Sequence, residues 1–193
     1  MVADPLVQDL VREKLHRLTV ADFERMAQNG ILTEDTPVEL IDGALIDRAP
    51  IGSAHADCVD RLARMLFEQT SRDFRVRVQN PLVLGSHTEV QPDLAVVGPR
   101  GLSYADAHPG PEDVLLVIEV ADTSAHFDRV VKMRLYAQHG IPEVWLVDVA
   151  SRTFEIRTEP SSSGYRKVLR VESQQTITPQ RIPSISVNPS DLF

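Results

Sequence analysis

The sequence predicts an α/β protein of the mixed kind (α+β, mixed sheet), one domain in which helices flank a central sheet. Three observations carry this. The runs "DLAVVG" (Asp93–Gly98) and "DVLLVIEVA" (Asp113–Ala121) are nearly all apolar, as strands covered on both faces are. Segments of helical period stand before and after them. At 193 residues, 42% hydrophobic and 25% charged, the chain has enough apolar material for one proper core and no low-complexity linker to divide it. Residues 1–18 are expected to be a separate, helix-prone N-terminal segment and 19–193 a single domain.

The elements follow in order. "LTVADFERMAQNG" reads as a helix capped by Thr19, with Asp22 in its first turn and Gly30 just past its end. "VELIDGALID" is two short strands around the Asp42-Gly43 turn. "SAHADCVDRLARMLFEQT" is helical by period, with Val59, Leu62 and Leu66 in its apolar face. "FRVRVQNPLVL" reads as a strand that sets Arg75, Arg77 and Gln79 on one face and Val76 and Val78 on the other. After the two apolar strands, "AHFDRVVKMRLYAQHG" is a helix ended by Gly140, and "PEVWLVDV" is a further strand containing Trp145 as core. "TFEIRT", "YRKVLRV" and "TITPQ" complete the chain as polar outer strands, with "SSSG" as a hairpin tip.

Composition excludes several functions. No apolar run approaches the roughly 18 residues of a membrane span, and the N-terminus lacks the layout of a secretory signal. Cys58 is the only cysteine, so neither an internal disulfide nor a cysteine-based zinc site is possible. A cytoplasmic protein is the plain expectation. A net charge of −8 argues against coating nucleic acid through a general positive field, but leaves room for a local basic face or for carboxylates neutralised by a metal.

The informative anomaly is a carboxylate in each apolar strand. Asp93 opens one run and Glu119 nearly closes the other. If the strands pair as antiparallel neighbours, the two acids meet at one sheet edge, where they repel and desolvate badly unless a cation lies between them. Mg²⁺ suits such a pair, because it prefers oxygen ligands and commonly takes one or two carboxylates plus a phosphate. The plainer alternatives are a turn role for Asp93 and an arginine partner for Glu119. On the following helix, Asp128, Lys132, Tyr136 and His139 share one stripe at about 100° per residue, beside a packing face of Phe127, Val131 and Leu135. Asp128 and Lys132 have the spacing of a surface ion pair, whereas the position of Lys132, just beyond the Glu119 strand, points it back toward that strand's end.

Taken together, "VELIDGALI", "AHADCVDRL", "QPDLAVV", "LLVIEVADTS", "DRVVKMRLYAQHGIPEVWLVDV" and "SDLF" resemble the Uma-two family of bacterial endonucleases, which have the restriction-endonuclease-like PD-(D/E)XK fold. The likeness runs from about Thr19 to the C-terminus. It implies a restriction-endonuclease-like core with flanking helices and extra C-terminal strands. By that resemblance Asp93, Glu119 and Lys132 are catalytic, and Asp93 and Glu119 bind Mg²⁺, with Mn²⁺ as a substitute. The usual motif places its lysine two residues after the second acid, where this chain has Ala121; in this family Lys132 on the helix fills that place. Glu39 matches a further acidic position, either a third metal ligand or an exposed hairpin charge. His55 matches a family histidine, which either contacts phosphate or caps its helix, and Gln79, Asp128 and Tyr136 line the site.

The function expected is Mg²⁺-dependent phosphodiester hydrolysis of nucleic acid, DNA above all, by a homodimer without membrane association. Arg75, Arg77, Arg129 and Arg134 are candidates to meet the nucleic-acid backbone. Two alternatives stand beside it: a nuclease-fold binding or regulatory protein without activity, and a Mg²⁺-dependent hydrolase of another phosphate ester.

Overall fold

In a computed structural model of the chain, the described residues are 14–33, 35–69, 73–99, 104–121, 128–172 and 174–193, the side chains of 128 and 129 excepted. The helix-prone segment expected before residue 19 therefore lies largely outside them. The elements are α1 (Val20–Gln28), β1 (Val38–Ile41), β2 (Ala44–Asp47), α2 (Ser53–Glu68), β3 (Arg75–Val78), β4 (Leu82–Gly85), β5 (Thr88–Val90), β6 (Leu94–Val97), β7 (Val114–Ala121), α3 (Met133–Gln138), β8 (Glu143–Asp148), β9 (Thr153–Ser161) and β10 (Gly164–Val171). A π-helical turn at Asp128–Lys132 leads into α3. The chain divides into two compact units, Met1–Arg48 with Gly85–Glu89, and Ala49–Leu84 with Val90–Phe193. Among the described residues no helix is long and apolar enough to cross a membrane.

In the first unit, α1 begins where its sequence says it should. Thr19 Oγ1 accepts the Asp22 N–H at 3.1 Å and Asp22 returns the favour to the Thr19 N–H at 2.9 Å, a full capping box. The Thr19 hydroxyl, which also donates to Asp22 Oδ2 at 2.6 Å, and the Thr19 N–H hold the Asp22 carboxyl below its usual value. Asp42 (φ 50°) and Gly43 (φ 79°) are both left-handed, the pattern a two-residue hairpin demands. Gly43 is also required by space, since a Cβ there would stand 2.5 Å from the Arg17 Cβ. Glu39, on β1, is buried at 4% exposure, so the reading of it as an exposed hairpin charge is wrong. Its position within β1, pleated inward between Val38 and Leu40, is what tertiary packing adds to the hairpin pattern.

The second unit is built on a six-stranded sheet in the order β10-β9-β8-β7-β6-β3. Every neighbouring pair is antiparallel except β7 and β8, which run parallel and are joined by the crossover that contains α3. One sheet face carries the core. Leu94 and Val96 of β6, Leu116, Ile118 and Val120 of β7, and Trp145 and Val147 of β8 meet Cys58, Val59, Leu62, Ala63 and Leu66 of α2. Trp145 is wholly buried, edge-on to Phe154 at 5.3 Å between ring centres. Its N–H donates to Glu143 Oε1 at 2.6 Å.

Two expectations about strands fail. "FRVRVQNPLVL" is not one strand, because Gln79 takes a left-handed φ of 47° and Asn80-Pro81 follow, so the run breaks into β3 and β4. "TITPQ" forms no outer strand; Ile177 makes a single bridge to Val187. Its segment instead folds back, burying Ile177, Ile182, Ile185, Val187 and Leu192 in the core, and Gln180 N–H caps Glu143 Oε2 at 2.8 Å. Apolar side chains two to five residues apart found a better partner in the sheet face than in a seventh strand.

Glu89, opposite Leu40 in the first unit, supplies a test of this packing. Its carboxylate is buried, Oε2 has no hydrogen-bond partner among the described residues, and burial followed by repulsion from Glu24 pushes it up to about 7. The folded state thus holds this proton more tightly than the unfolded chain, whose reference value is 4.5. Stability from this group is complete below that value and is lost as pH rises through about 7. Glu89→Gln is expected to raise the melting temperature more at about pH 8 than at about pH 5; equal effects at both would contradict the assignment.

Candidate active site

The register of β6 on β7 creates the site. Leu94 lies opposite Ile118 and Ala95 opposite Val117, so the next residue outward, Asp93, falls opposite Glu119. The same count on the other side brings in Gln79, one step beyond the Val78–Leu94 pair. Because Ile118 and Val120 face the core, strand alternation turns Glu119 to the opposite face, the one α3 covers. Asp93 and Glu119 are therefore brought together, at 9% and 2% exposure.

Each carboxylate is held by groups from several elements. Asp93 Oδ2 accepts the Val120 N–H at 2.9 Å and lies 3.0 Å from His55 Nε2 in the first turn of α2. Gln79 reaches Oδ1 with its amide at 3.4 Å, and its main-chain N–H donates to the Asp93 carbonyl at 2.9 Å. Gln91 in turn donates its side-chain amide to the Gln79 carbonyl. Glu119 Oε1 accepts the Tyr136 hydroxyl at 2.5 Å and lies 3.4 Å from Lys132 Nζ, while Oε2 turns toward the Asp93 N–H at 3.5 Å. Burial pushes the Asp93 carboxyl up, but the His55 hydrogen bond and charge, the Val120 N–H and the Lys132 ammonium outweigh it. Asp93 thus stays below the ordinary carboxylate value and is ionised at neutral pH.

The helix that delivers Lys132 and Tyr136 is not the one its periodicity describes. Its buried residues are Lys132, Met133, Tyr136 and Ala137, whereas Val131 and Leu135 are only half-buried and Val130 is exposed. The stripe of Lys132 and Tyr136, rather than the adjoining Val131 and Leu135, is the inner face, so the alternative of a surface ion pair for Lys132 fails. The π-helical turn at Asp128–Lys132 widens the spiral just before α3, which shifts the phase from the regular 100° count. Such turns recur at functional sites. Lys132 consequently pairs with Glu119 across the sheet. The side chains of Asp128 and Arg129 and the start of the predicted helix lie outside what the structure describes.

His55 lies in the first turn of α2, as its sequence position implies, but does not cap it. The N-cap is Gly52, without a side-chain bond, and His55 is committed to Asp93. Glu39 belongs to the first unit. Sequence reasoning missed Gln91 and the Val120 N–H; a lone glutamine and a backbone amide carry no pattern by which to find them.

Whether these residues suit a divalent cation can be judged from their chemistry. Among the described residues no group of three or more His, Cys, Asp and Glu side chains is arranged to hold a metal. The paired carboxylates of Asp93 and Glu119 are nonetheless the hard oxygen set that Mg²⁺ takes, one or two carboxylates with the rest water and phosphate. Asp93 Oδ1 faces only a long amide contact, so an oxygen is on hand without breaking a strong bond. The residues fit.

A family model described as "Uma2: Putative restriction endonuclease" matches residues 20–190. The chain belongs to the Uma2 family. Its activity class is accordingly that of a nuclease. The fold resembles a solved structure described as a "putative nuclease belonging to DUF820" from Anabaena variabilis ATCC 29413, with a TM-score of 0.70 at 18% identity, over 91% of this chain and 97% of that one. No curated protein matches. This likeness shows that the Uma2 chain shares that structure's mixed α/β fold.

The Tyr136–Glu119 bond is short and joins two buried side chains. Tyr136→Phe is expected to cost about 1.5–3 kcal/mol in urea unfolding, the range for a hydrogen bond to a charged group. A double-mutant cycle with Glu119→Gln should show coupling. Additive effects would mean that Tyr136 only packs.

Proposed function

We propose that this Uma2 protein is a Mg²⁺-dependent endonuclease that hydrolyses phosphodiester bonds of DNA, with Mn²⁺ as a working substitute. The observation that carries the reading is the meeting of Asp93 and Glu119 on adjacent antiparallel strands, with the Lys132 ammonium 3.4 Å from Glu119. A family described as restriction endonucleases supports DNA as the polymer.

Asp93 and Glu119 would hold the cation. When bound, Mg²⁺ supplies Lewis acidity toward a phosphodiester and makes a water a stronger nucleophile at neutral pH. The protein's own groups do the rest. His55 and the Val120 N–H fix Asp93 Oδ2, which leaves Oδ1 for the ion. Tyr136 fixes Glu119 Oε1, which turns Oε2 toward Asp93. Lys132, buried and held by Glu119, presents N–H donors to the charge that builds on the phosphate oxygens as the new bond forms. Its burial matters, because a donor already desolvated and aimed pays no reorganisation when charge appears.

Supercoiled plasmid incubated with the protein and Mg²⁺ or Mn²⁺ should be nicked and linearised, and EDTA should stop it. Asp93→Ala, Glu119→Ala and Lys132→Ala should each lose roughly 100-fold or more in rate, as removal of an electrostatic stabiliser does. Cutting by Asp93→Ala at the wild-type rate would end the proposal.

A further inference from the structure

Among the described residues, Arg77 on the site's face has no acidic partner. Arg77 stands in the middle of β3, between Val76 and Val78, which pack against the core. Alternation therefore turns Arg77 to the face that carries Glu119. Its register partner is Ala95, two residues from Asp93. Strand geometry puts the Arg77 and Asp93 Cα atoms roughly 8 Å apart.

The side chain is held rather than loose. Its guanidinium carbon sits 5.6 Å from the centre of the Tyr104 ring, a cation–π contact. Tyr104 is itself buried and donates its hydroxyl to the Gly98 carbonyl at 2.8 Å. Arg77 Nε is buried and has no hydrogen-bond acceptor among the described residues. Burial pulls its pKa down, and the charged or polar neighbours it feels are Tyr104 and Arg75, with no carboxylate among them. Leaving a half-buried cation unpaired costs free energy unless an anion completes it.

Other arginines on the described surface differ in this respect. Arg75 and Arg134 are exposed. Arg157 and Arg170 both bond Glu155, at 2.6 and 3.3 Å. Arg77 alone of these combines partial burial, an aromatic support and the absence of an acidic partner.

We infer that Arg77, braced on Tyr104, forms a phosphate subsite that grips a non-bridging oxygen of the nucleic-acid strand beside the group held at Asp93 and Glu119. This rests on the nuclease reading for its ligand, a phosphodiester, but not for its geometry. A guanidinium suits the task, because its planar fork matches two phosphate oxygens and its orientation is already restricted.

The test measures binding apart from cutting. Anisotropy of a fluorescein-labelled DNA duplex is followed in EDTA across a salt series, for wild type, Arg77→Met, Arg77→Lys and, as a control on the outer surface of α2, Arg64→Met. Arg77→Met should bind roughly tenfold more weakly, as loss of one hydrogen bond to a charged group implies. Its slope of log affinity against log salt should flatten by about 0.9, the loss of one phosphate contact. Arg77→Lys should keep the slope while losing part of the affinity, and Arg64→Met should match wild type. A merely structural role would leave the slope unchanged, and a slope and affinity equal to wild type in Arg77→Met would overturn the subsite. So would a wild-type protein that shows no measurable affinity for the duplex. Asp93→Ala, run alongside, should lose Mg²⁺-dependent cutting yet retain binding in EDTA. If it cuts as wild type does, the catalytic reading falls while an Arg77 effect on the slope still stands.

Discussion

The pairing of β6 with β7 is the constraint on which the site depends. Two carboxylates that are 26 residues apart in the chain are set side by side by backbone hydrogen bonds, not by any affinity for each other. Their mutual repulsion and desolvation oppose the arrangement. What holds it is the apolar register beneath: Leu94, Val96, Leu116, Ile118 and Val120 all bury against α2 and the returning C-terminal segment. A slip of one residue would turn that apolar set outward and send Glu119 into the core, so the sheet cannot trade the acids' discomfort for another pairing.

The electrostatic cost is met locally and from several directions. The first turn of α2 brings His55, the end of β3 brings Gln79, β7 contributes its own Val120 N–H, and the helix after β7 brings Lys132 and Tyr136. Each support reaches one oxygen of one carboxylate. This division explains why Asp93 remains ionised despite its burial. It also explains the left-handed backbone of Gln79, a conformation uncommon for a side-chain-bearing residue. That bend lets one residue offer its main-chain N–H, its carbonyl and its side-chain amide to the Asp93–Gln91 segment at once.

Much of the fold was legible. The Thr19–Asp22 cap, the Asp42-Gly43 turn and the apolar face of α2 all depend on short-range chemistry, and each formed as read. The two acidic residues stood out because a carboxylate in an otherwise apolar strand needs a reason. Errors arose where a distant partner overrode a local pattern. "TITPQ" has strand-like composition, yet its isoleucine was worth more beneath the sheet than along its edge. The alternation of "FRVRVQNPLVL" could not show that Gln79 would leave the extended region to serve Asp93.

By itself, then, the sequence determined which segments are apolar, where helices and turns begin, and which few acids stand in costly positions, because these follow from side-chain type and short spacing. Only the tertiary structure decided which face of the last helix turns inward, and so that Lys132 and Tyr136 meet Glu119 rather than water. A regular period cannot register a π-helical turn, and a turn of that kind shifts every later side chain around the helix axis. The partners of His55, Gln91 and Arg77 were likewise decided by pairing across the sheet and packing on it. A single polar residue carries no information about what lies opposite until the strands are in register.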